Sequence, residues 1–421
     1  MEEQIFNQLQ KIFVQSGNQS MIENIKMLLY QTEPSIFDRI DFDNDIIYQE
    51  PLLFAYFRNI NTDKTTLDAI VYGYTPPHLR PLGIRVFTDE FGRIYLPNIG
   101  WLTTSVPNKP YNITTKEDNT IALWVENKPI NYKFEGIRLI EDINIELLNH
   151  SIPVLKQFYY DILQTPVEVE IQNITLEQEK NFITACRILK KIVPDHYQLI
   201  TLTTKKCVIF NIDTHLRNSF ATLSAQGIGF FNAYQSDYNE VFFVDDIAHQ
   251  TGHIVFNAMI YEVENFLLVE PNTIIQNLQI EGIARESRDI HVIFHALYTY
   301  YTTFICLDAC LEADVFKDAK RHEVLGRIKF YIKKCYQDIS LIENPTKEFN
   351  NTTQFYGSDQ LFTSNGLVIY NEIKRIYNLI VTKWFQLVKD FDINNQPYNF
   401  TYSKFIELNP YVCSTQNTYS H

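Results

Sequence analysis

No run of lysine and arginine appears anywhere in this chain, and its formal net charge is −14. A nucleic-acid surface draws most of its affinity from phosphates neutralised by such residues, so no nucleic-acid partner is expected. Uninterrupted apolar stretches of 18 residues are also missing, which argues against a membrane span. The opening Met1-Glu2-Glu3-Gln4-Ile5-Phe6 has neither the basic start nor the apolar stretch of a secretion signal. Cysteine is sparse. Cys186, Cys207, Cys306, Cys310, Cys335 and Cys413 are scattered, unlike a disulfide framework. Reduced thiols and a cytoplasmic location are therefore expected, with sequons such as Asn173-Ile174-Thr175 read as chance. No internal repeat is evident.

What is present is core-forming material. Hydrophobic residues make up 45% and aromatics 14% of 421 residues, enough for two or three domains or one large one. Residues 2–15 and 19–31 have helical spacing, with Ser16-Gly17-Asn18 as a natural break. Residues 82–102 and 119–141 alternate as strands do. Residues 150–164 and 176–192 read as helices, followed by short strands at 199–203 and 206–211, then a Ser/Thr-bearing strand and glycine turn at 219–229. From Val241 the pattern is strongly helical: about 242–260, 286–314, 317–342 and 366–394, with a polar loop at 348–358. The expected fold class is α+β, with a mixed α/β N-terminal half and a mainly helical C-terminal half. Residues 1–145 form one region, assigned to peptide binding only because nothing else in it declares a role. Residues 146–421 form the region that carries chemistry.

That chemistry begins with His249-Gln250-Thr251-Gly252-His253. Positions i and i+4 share a helix face, so both imidazoles can reach one metal ion. In zinc hydrolases with the His-Glu-x-x-His helix, the glutamate takes a proton from bound water. Gln250 cannot, so the metal-binding half of the pattern is present and the hydrolytic half is missing. A second i,i+4 pair, His291 and His295, follows about 40 residues later. Ten histidines placed at random would give roughly 0.24 such pairs, so two favour a metal site over core histidines. Asp246 lies on the stripe of His249 and His253, where it could orient an imidazole. Ala248 and Gly252 would let another helix approach closely. Arg288, His291 and His295 read as one stripe, with Tyr298 and Tyr301 beyond it. Cys306 and Cys310 are taken as buried thiols, and His322 as part of a solvated stretch, Lys320-Arg321-His322-Glu323.

The run from Asp246 to His253, followed by Arg288-Asp289-Ile290-His291-Val292-Ile293-Phe294-His295-Ala296-Leu297-Tyr298, resembles the HExxH-motif proteins of ribosomally synthesised, post-translationally modified peptide (RiPP) clusters. In that family a His-Glu-x-x-His helix precedes an Arg-Pro-…-His-(small)-x-Tyr helix, and a further helix ends in a Leu-Thr-x-x-Gly element, here Leu361-Phe362-Thr363-Ser364-Asn365-Gly366. The likeness spans roughly residues 200–395, and it departs from the family at Gln250 and at Asp289, which stands where proline follows the arginine. The resemblance implies a non-haem Fe(II), 2-oxoglutarate-dependent oxygenase that hydroxylates a precursor peptide, typically at a β-carbon. His249, His253 and His295 would hold the iron. Glu281, then Glu270 and Glu286, are the fallback carboxylate ligands. Arg288, with Ser219, Thr222 or Ser224, would hold the distal carboxylate of 2-oxoglutarate. Gln250, Asp246, His291 and Tyr298 are expected around the ligands or against the substrate.

An oxygenase that abstracts hydrogen needs no carboxylate base beside the metal, so Gln250 fits it. Two alternatives stand beside this reading: a divergent zinc metallohydrolase, and a non-catalytic peptide-binding relative.

Overall fold

The computed structural model describes all residues except 1, 59–63, 117, 141–142, 162, 170, 172–174, 236–237, 279–285, 344–356 and 412–421. The helices are α1 (Glu2–Thr32), α2 (Asp45–Tyr48), α3 (Pro51–Arg58), α4 (Leu67–Val71), α5 (Leu176–Ile192), α6 (Pro194–Thr203), α7 (Glu240–Met259), α8 (Ile290–Glu312), α9 (Asp318–Glu343), α10 (Ser364–Val388) and α11 (Tyr402–Leu408). The strands are β1 (Ile84–Phe87), β2 (Arg93–Leu96), β3 (Gly100–Thr103), β4 (Pro110–Thr115), β5 (Ile121–Val125), β6 (Lys128–Ile130), β7 (Lys133–Gly136), β8 (Glu146–Leu147), β9 (Lys206–Phe210), β10 (Ile228–Asn232), β11 (Ile274–Leu278) and β12 (Glu286–Asp289). The fold is α+β, with sheets in the N-terminal half and helices dominating the C-terminal half.

Two compact units divide the chain, each assembled from separated stretches. One comprises Met1–Val14, Glu177–Leu199 and Gln235–His421; the other comprises Gln15–Leu176 and Ile200–Tyr234. The expected cut near residue 145 falls inside the second of these.

In the second unit, β1, β4, β5 and β6 form one antiparallel sheet, and β2, β3 and β7 another. Strands β10, β9 and β8 pair in parallel. One core cluster gathers Leu29, Ile47, Leu53, Trp101, Phe210 and Phe230, and a second lies among Ile84, Leu96, Leu102 and Ile113. A charged group is enclosed here. Lys206 Nζ lies 2.7 Å from Glu146 Oε2 and 3.3 Å from Glu50 Oε2, and it donates to the Tyr95 hydroxyl at 3.0 Å. Tyr74 donates to Glu50 at 2.7 Å. Each buried charge thus has a partner, the condition on which such a group is tolerated.

The first unit is built around α7 and α8. Asn239 caps α7 by accepting from the Val241 N–H at 2.7 Å, and Asp289 caps α8 by accepting from Val292 at 2.8 Å. Both helices are apolar on nearly every side, which suits elements packed from all directions. Helix α8 is long and apolar enough to cross a membrane, although polar residues interrupt its apolar run; 72% of its most apolar window is buried inside the protein. The two helices run antiparallel, since His253 meets His295 while Ala248 meets Thr302.

Several expected elements change. The break at Ser16-Gly17-Asn18 does not occur. Phe6, Gln10, Val14, Gly17, Met21, Ile25 and Leu29 form one unbroken buried stripe, and packing along it overrides the weak helix propensity of one glycine. Residues 199–203 are the end of α6 rather than a strand, because Pro194 opens a helix that runs through them. The helix expected at 150–164 shrinks to a 3-10 turn at Pro153–Phe158. In the Ser219–Gly229 segment, Phe220 makes an isolated bridge, residues 223–225 form a 3-10 turn, and the strand begins only at Ile228. The expected 286–314 helix starts at Ile290, with residues 286–289 paired as β12. The loop expected at 348–358 lies outside the described residues except for its last two.

His196 on α6 is buried with both ring nitrogens sealed and unbonded, and burial pushes its imidazole down to about 4 from 6.5. Between those values the unfolded chain binds a proton that the folded chain refuses. Stability should therefore be full above about pH 6.5 and fall on acidification, by about 1.4 kcal/mol per pH unit, levelling off near pH 4. Urea denaturation of the His196→Leu variant between about pH 7 and pH 4.5 should show a shallower slope than wild type by that amount.

Candidate metal centre

Four imidazoles stand in a file where α7 meets α8. His249 and His253 have ring centroids 5.2 Å apart, His253 and His295 5.8 Å, and His295 and His291 4.4 Å. The close approach depends on small residues, as the sequence suggested. A Cβ added at Gly252 would meet the Thr302 hydroxyl oxygen at 2.5 Å, and that hydroxyl donates to the Ala248 carbonyl at 2.9 Å. Phe256 braces His295, its ring centroid 4.7 Å away and nearly perpendicular.

Burial decides the charge state of the file. It pushes His253 down to about 4, holds His249 and His295 well below the ordinary range, and lowers His291. All four are therefore neutral near pH 7, the form in which imidazole is a ligand. His249 and His253 nonetheless keep intermediate accessible surface. Depth combined with accessibility means that they face a concavity. His249 Nδ1 and His295 Nε2 are sealed and have no hydrogen-bond partner. A buried polar atom left in that state is costly unless water or an ion satisfies it.

Imidazoles bound to one ion at about 2.1 Å have ring centroids roughly 4.6–5.3 Å apart. The observed spacings bracket that range. Among the described residues, no three His, Cys, Asp or Glu side chains converge tightly enough to hold an ion as they stand. The 5.8 Å gap between His253 and His295 would have to close by about half an ångström or more. The rings are neutral and two of their nitrogens lack partners, but as they stand they do not form a metal site.

The surroundings are more charged than the sequence suggested. Asp245, one residue before the expected Asp246, is buried on the His249/His253 stripe. It accepts from Arg327 at 2.6 Å and from the Tyr331 hydroxyl at 2.8 Å. Arg327 also forks onto Glu323. Burial works against the Arg327 charge, but Glu323 and Asp245 more than offset it, so the guanidinium is held above its ordinary value. Tyr331 and Tyr300 flank His249 at 6.2 and 6.4 Å between ring centroids. Glu323, Arg327 and Tyr331 recur every four residues on α9, and Asp245, His249 and His253 do so on α7. On α7, which is otherwise largely apolar, an ionisable residue at that period was the readable signal. Asp246 itself accepts from the Gln250 amide at 3.1 Å, so Gln250 is turned along its own helix.

Arg288 is not on the histidine helix. It lies on β12, and its guanidinium forks onto Asp338 at 2.7 and 2.8 Å. Tyr298 is fully buried and accepts from Gln10 at 3.0 Å, which makes it core rather than a pocket wall. Tyr301 packs edge-on against Phe6. Ser219, Thr222 and Ser224 belong to the other compact unit. There the Ser219 hydroxyl accepts from Asn232 N–H, and Thr222 accepts from Ser224 N–H. Glu281 lies outside the described residues, nothing is described of the Glu286 side chain, and Glu270 is exposed. His322 is half-buried among Phe391, Tyr402, Phe405 and Tyr411 rather than solvated. Thr363 caps the start of α10, and a Cβ at Gly366 would strike the Phe266 carbonyl at 2.1 Å. The Leu361–Gly366 element therefore opens a helix and docks it against the chain that follows α7. Cys306 and Cys310 are buried free thiols. Clefts of about 210, 520 and 610 Å³ lie elsewhere, and the file of imidazoles lines none of them.

No family model matches the chain, and no curated protein matches it either.

The Arg288–Asp338 fork separates a structural arginine from a ligand anchor. Arg288→Ala, which strands a nearly buried carboxylate, should cost about 3–5 kcal/mol in urea denaturation. A smaller loss in Asp338→Asn, with full recovery in the Arg288→Met/Asp338→Leu double variant, would identify the pair as structural.

Proposed function

We propose that the first unit carries a metal-dependent oxidative centre. On this reading the protein is a non-haem Fe(II), 2-oxoglutarate-dependent oxygenase that hydroxylates a residue of a ribosomally made precursor peptide at its β-carbon, in the manner of the HExxH-motif proteins of RiPP clusters that its sequence resembles. The observation that carries this reading is the gathering of neutral His249, His253 and His295 from two facing helices, with two sealed ring nitrogens lacking partners. These three rings would hold the iron, which with 2-oxoglutarate and O₂ supplies the oxidising power to hydroxylate an unactivated carbon.

The chain's own residues serve that chemistry in distinct ways. Gln250 donates its amide to Asp246 and offers no proton acceptor beside the metal, which favours oxidation over hydrolysis. Asp245 holds Tyr331 in place against His249. Phe256 sets the plane of His295. The resemblance gives Arg288 to the distal carboxylate of 2-oxoglutarate, which would have to displace Asp338 from a bidentate fork at the cost of stranding a nearly buried carboxylate. Ser219 and Thr222 hold their own loop, so the reading rests on Arg288 for the keto acid. The cytoplasm is the proposed location, where the five described cysteines, all buried free thiols, stay reduced.

One observation favours a second reading. Asp338 already satisfies Arg288, and the rings stand slightly apart, as expected of a peptide-binding relative that has lost its metal chemistry. A single experiment divides the two. Anaerobic addition of Fe(II) and 2-oxoglutarate to the full chain should bring up a weak visible charge-transfer band in wild type, which disappears in His253→Ala. Absence of the band in wild type, with no succinate formed in air beside a candidate peptide, rejects the oxygenase. Tightly held zinc with peptide cleavage would point instead to a hydrolase.

A further inference from the structure

One half-buried charge in the second unit departs from the pattern of the others. Lys206, Arg288 and Arg327 each lie against a carboxylate. Among the described residues Arg217 has no ion pair, and only the phenols of Tyr160 and Tyr159 favour its charge. Its guanidinium carbon lies 4.0 Å from the ring centroid of Phe220 and 4.3 Å from that of Tyr160. Its Nε is sealed from solvent and unbonded. Burial therefore pulls the Arg217 guanidinium below its ordinary value, whereas Arg288 and Arg327 are held above theirs. Asp213 is the acid nearest in sequence, but it is turned into its own loop. Its carboxylate accepts from the His215 N–H at 2.9 Å and from the Tyr234 hydroxyl at 3.3 Å.

The mounting of Arg217 is rigid. Its carbonyl accepts from the Asn232 side chain at 2.8 Å, and its N–H donates to the Asp213 carbonyl at 3.2 Å. Phe220 is pinned by its bridge to Phe230, with the two rings stacked at 4.3 Å, and Tyr160 by its bridge to Pro166. Aromatic faces stabilise a guanidinium charge, but they leave the N–H donors in its plane to find other acceptors. Arg217 as a whole stays partly accessible, so with Nε sealed it is the terminal end of the fork that a ligand can reach. A fork already fixed in one plane loses little freedom on binding.

We propose that Arg217 anchors a carboxylate-binding site on the second unit, with the rings of Tyr160 and Phe220 holding its fork in place. A carboxylate is the ligand class because two parallel N–H···O contacts match that group, whether an acidic side chain or a chain terminus presents it. Binding supplies the counter-charge that the described residues withhold. The site is independent of the histidines of the first unit and stands whether or not they take a metal.

Nuclear magnetic resonance of the full chain labelled with nitrogen-15 at arginine tests this. The sealed Nε–H of Arg217 exchanges slowly and should give a signal that is lost in both Arg217→Lys and Arg217→Gln. Acetyl-glutamate amide and acetyl-glycine, each added at constant ionic strength against sodium chloride, should move that signal saturably in the millimolar range. Acetyl-glutamine amide should leave it in place. Whichever carboxylate saturates first identifies the preferred source, side chain or terminus. Tyr160→Leu, which keeps the arginine and removes one ring, should weaken binding by about fivefold. No saturable movement with either carboxylate up to about 100 mM would overturn the proposal. Equal movement with the neutral amide would overturn it too, as would an unchanged affinity in Tyr160→Leu.

Discussion

The contact between Gly252 and Thr302 sets the distance on which the rest of the first unit depends. With no side chain at 252, the Thr302 hydroxyl reaches across to the Ala248 carbonyl, and α7 and α8 lie close enough for imidazoles from both to share one space. A wider separation would leave two unrelated histidine pairs on two helices. Interhelical distance follows the side chains at the contact, and here the smallest one lies next to the histidine that stands in the middle of the file.

Enclosing that file brings charge with it. Asp245, Arg327, Glu323 and Tyr331 form a closed network between α7 and α9, and Arg288 with Asp338 ties β12 to α9. Each is tolerable only because every charge finds a partner, since a buried ion stripped of its counter-charge is far costlier than the pair is beneficial. The second unit repeats the device with Lys206, Glu146 and Glu50. Charge pairing thus fixes the relative position of elements distant in sequence within each unit, whereas apolar packing alone would tolerate sliding.

The parts of this arrangement visible in the sequence were those with a local period. The two i,i+4 histidine pairs, the small residues beside them, the strand regions at 82–102 and 119–141 and the helical C-terminal half all follow from spacing within a few turns, whereas β4 at Pro110–Thr115 was not read. What escaped was set by distant partners. Arg288 looked like the first member of a helical stripe, but Asp289 caps α8 and leaves the arginine on a strand facing Asp338, 50 residues later. Asp246 was named on the histidine stripe, but Arg327, 82 residues away in sequence, pairs with its neighbour Asp245, which is the buried one. The unbroken α1 was hidden for the same reason. Gly17 weakens a helix locally, while the stripe from Phe6 to Leu29 supports it globally.

Helix α8 carries a consequence for how the chain comes to be folded. It is apolar enough to pass for a membrane segment, yet its cover arrives from both ends of the sequence. Phe6 and Gln10 lie against it from α1, and Lys383 and Trp384 of α10 hold its Asp308. During synthesis the ribosome releases α8 some 70 residues before α10 exists, so for several seconds at about 5–20 residues per second the nascent chain exposes the face of α8 that α10 later covers, even with α1 and α7 in place. The same side chains that enclose the imidazoles in the finished protein are, in the unfinished one, the surface most prone to self-association.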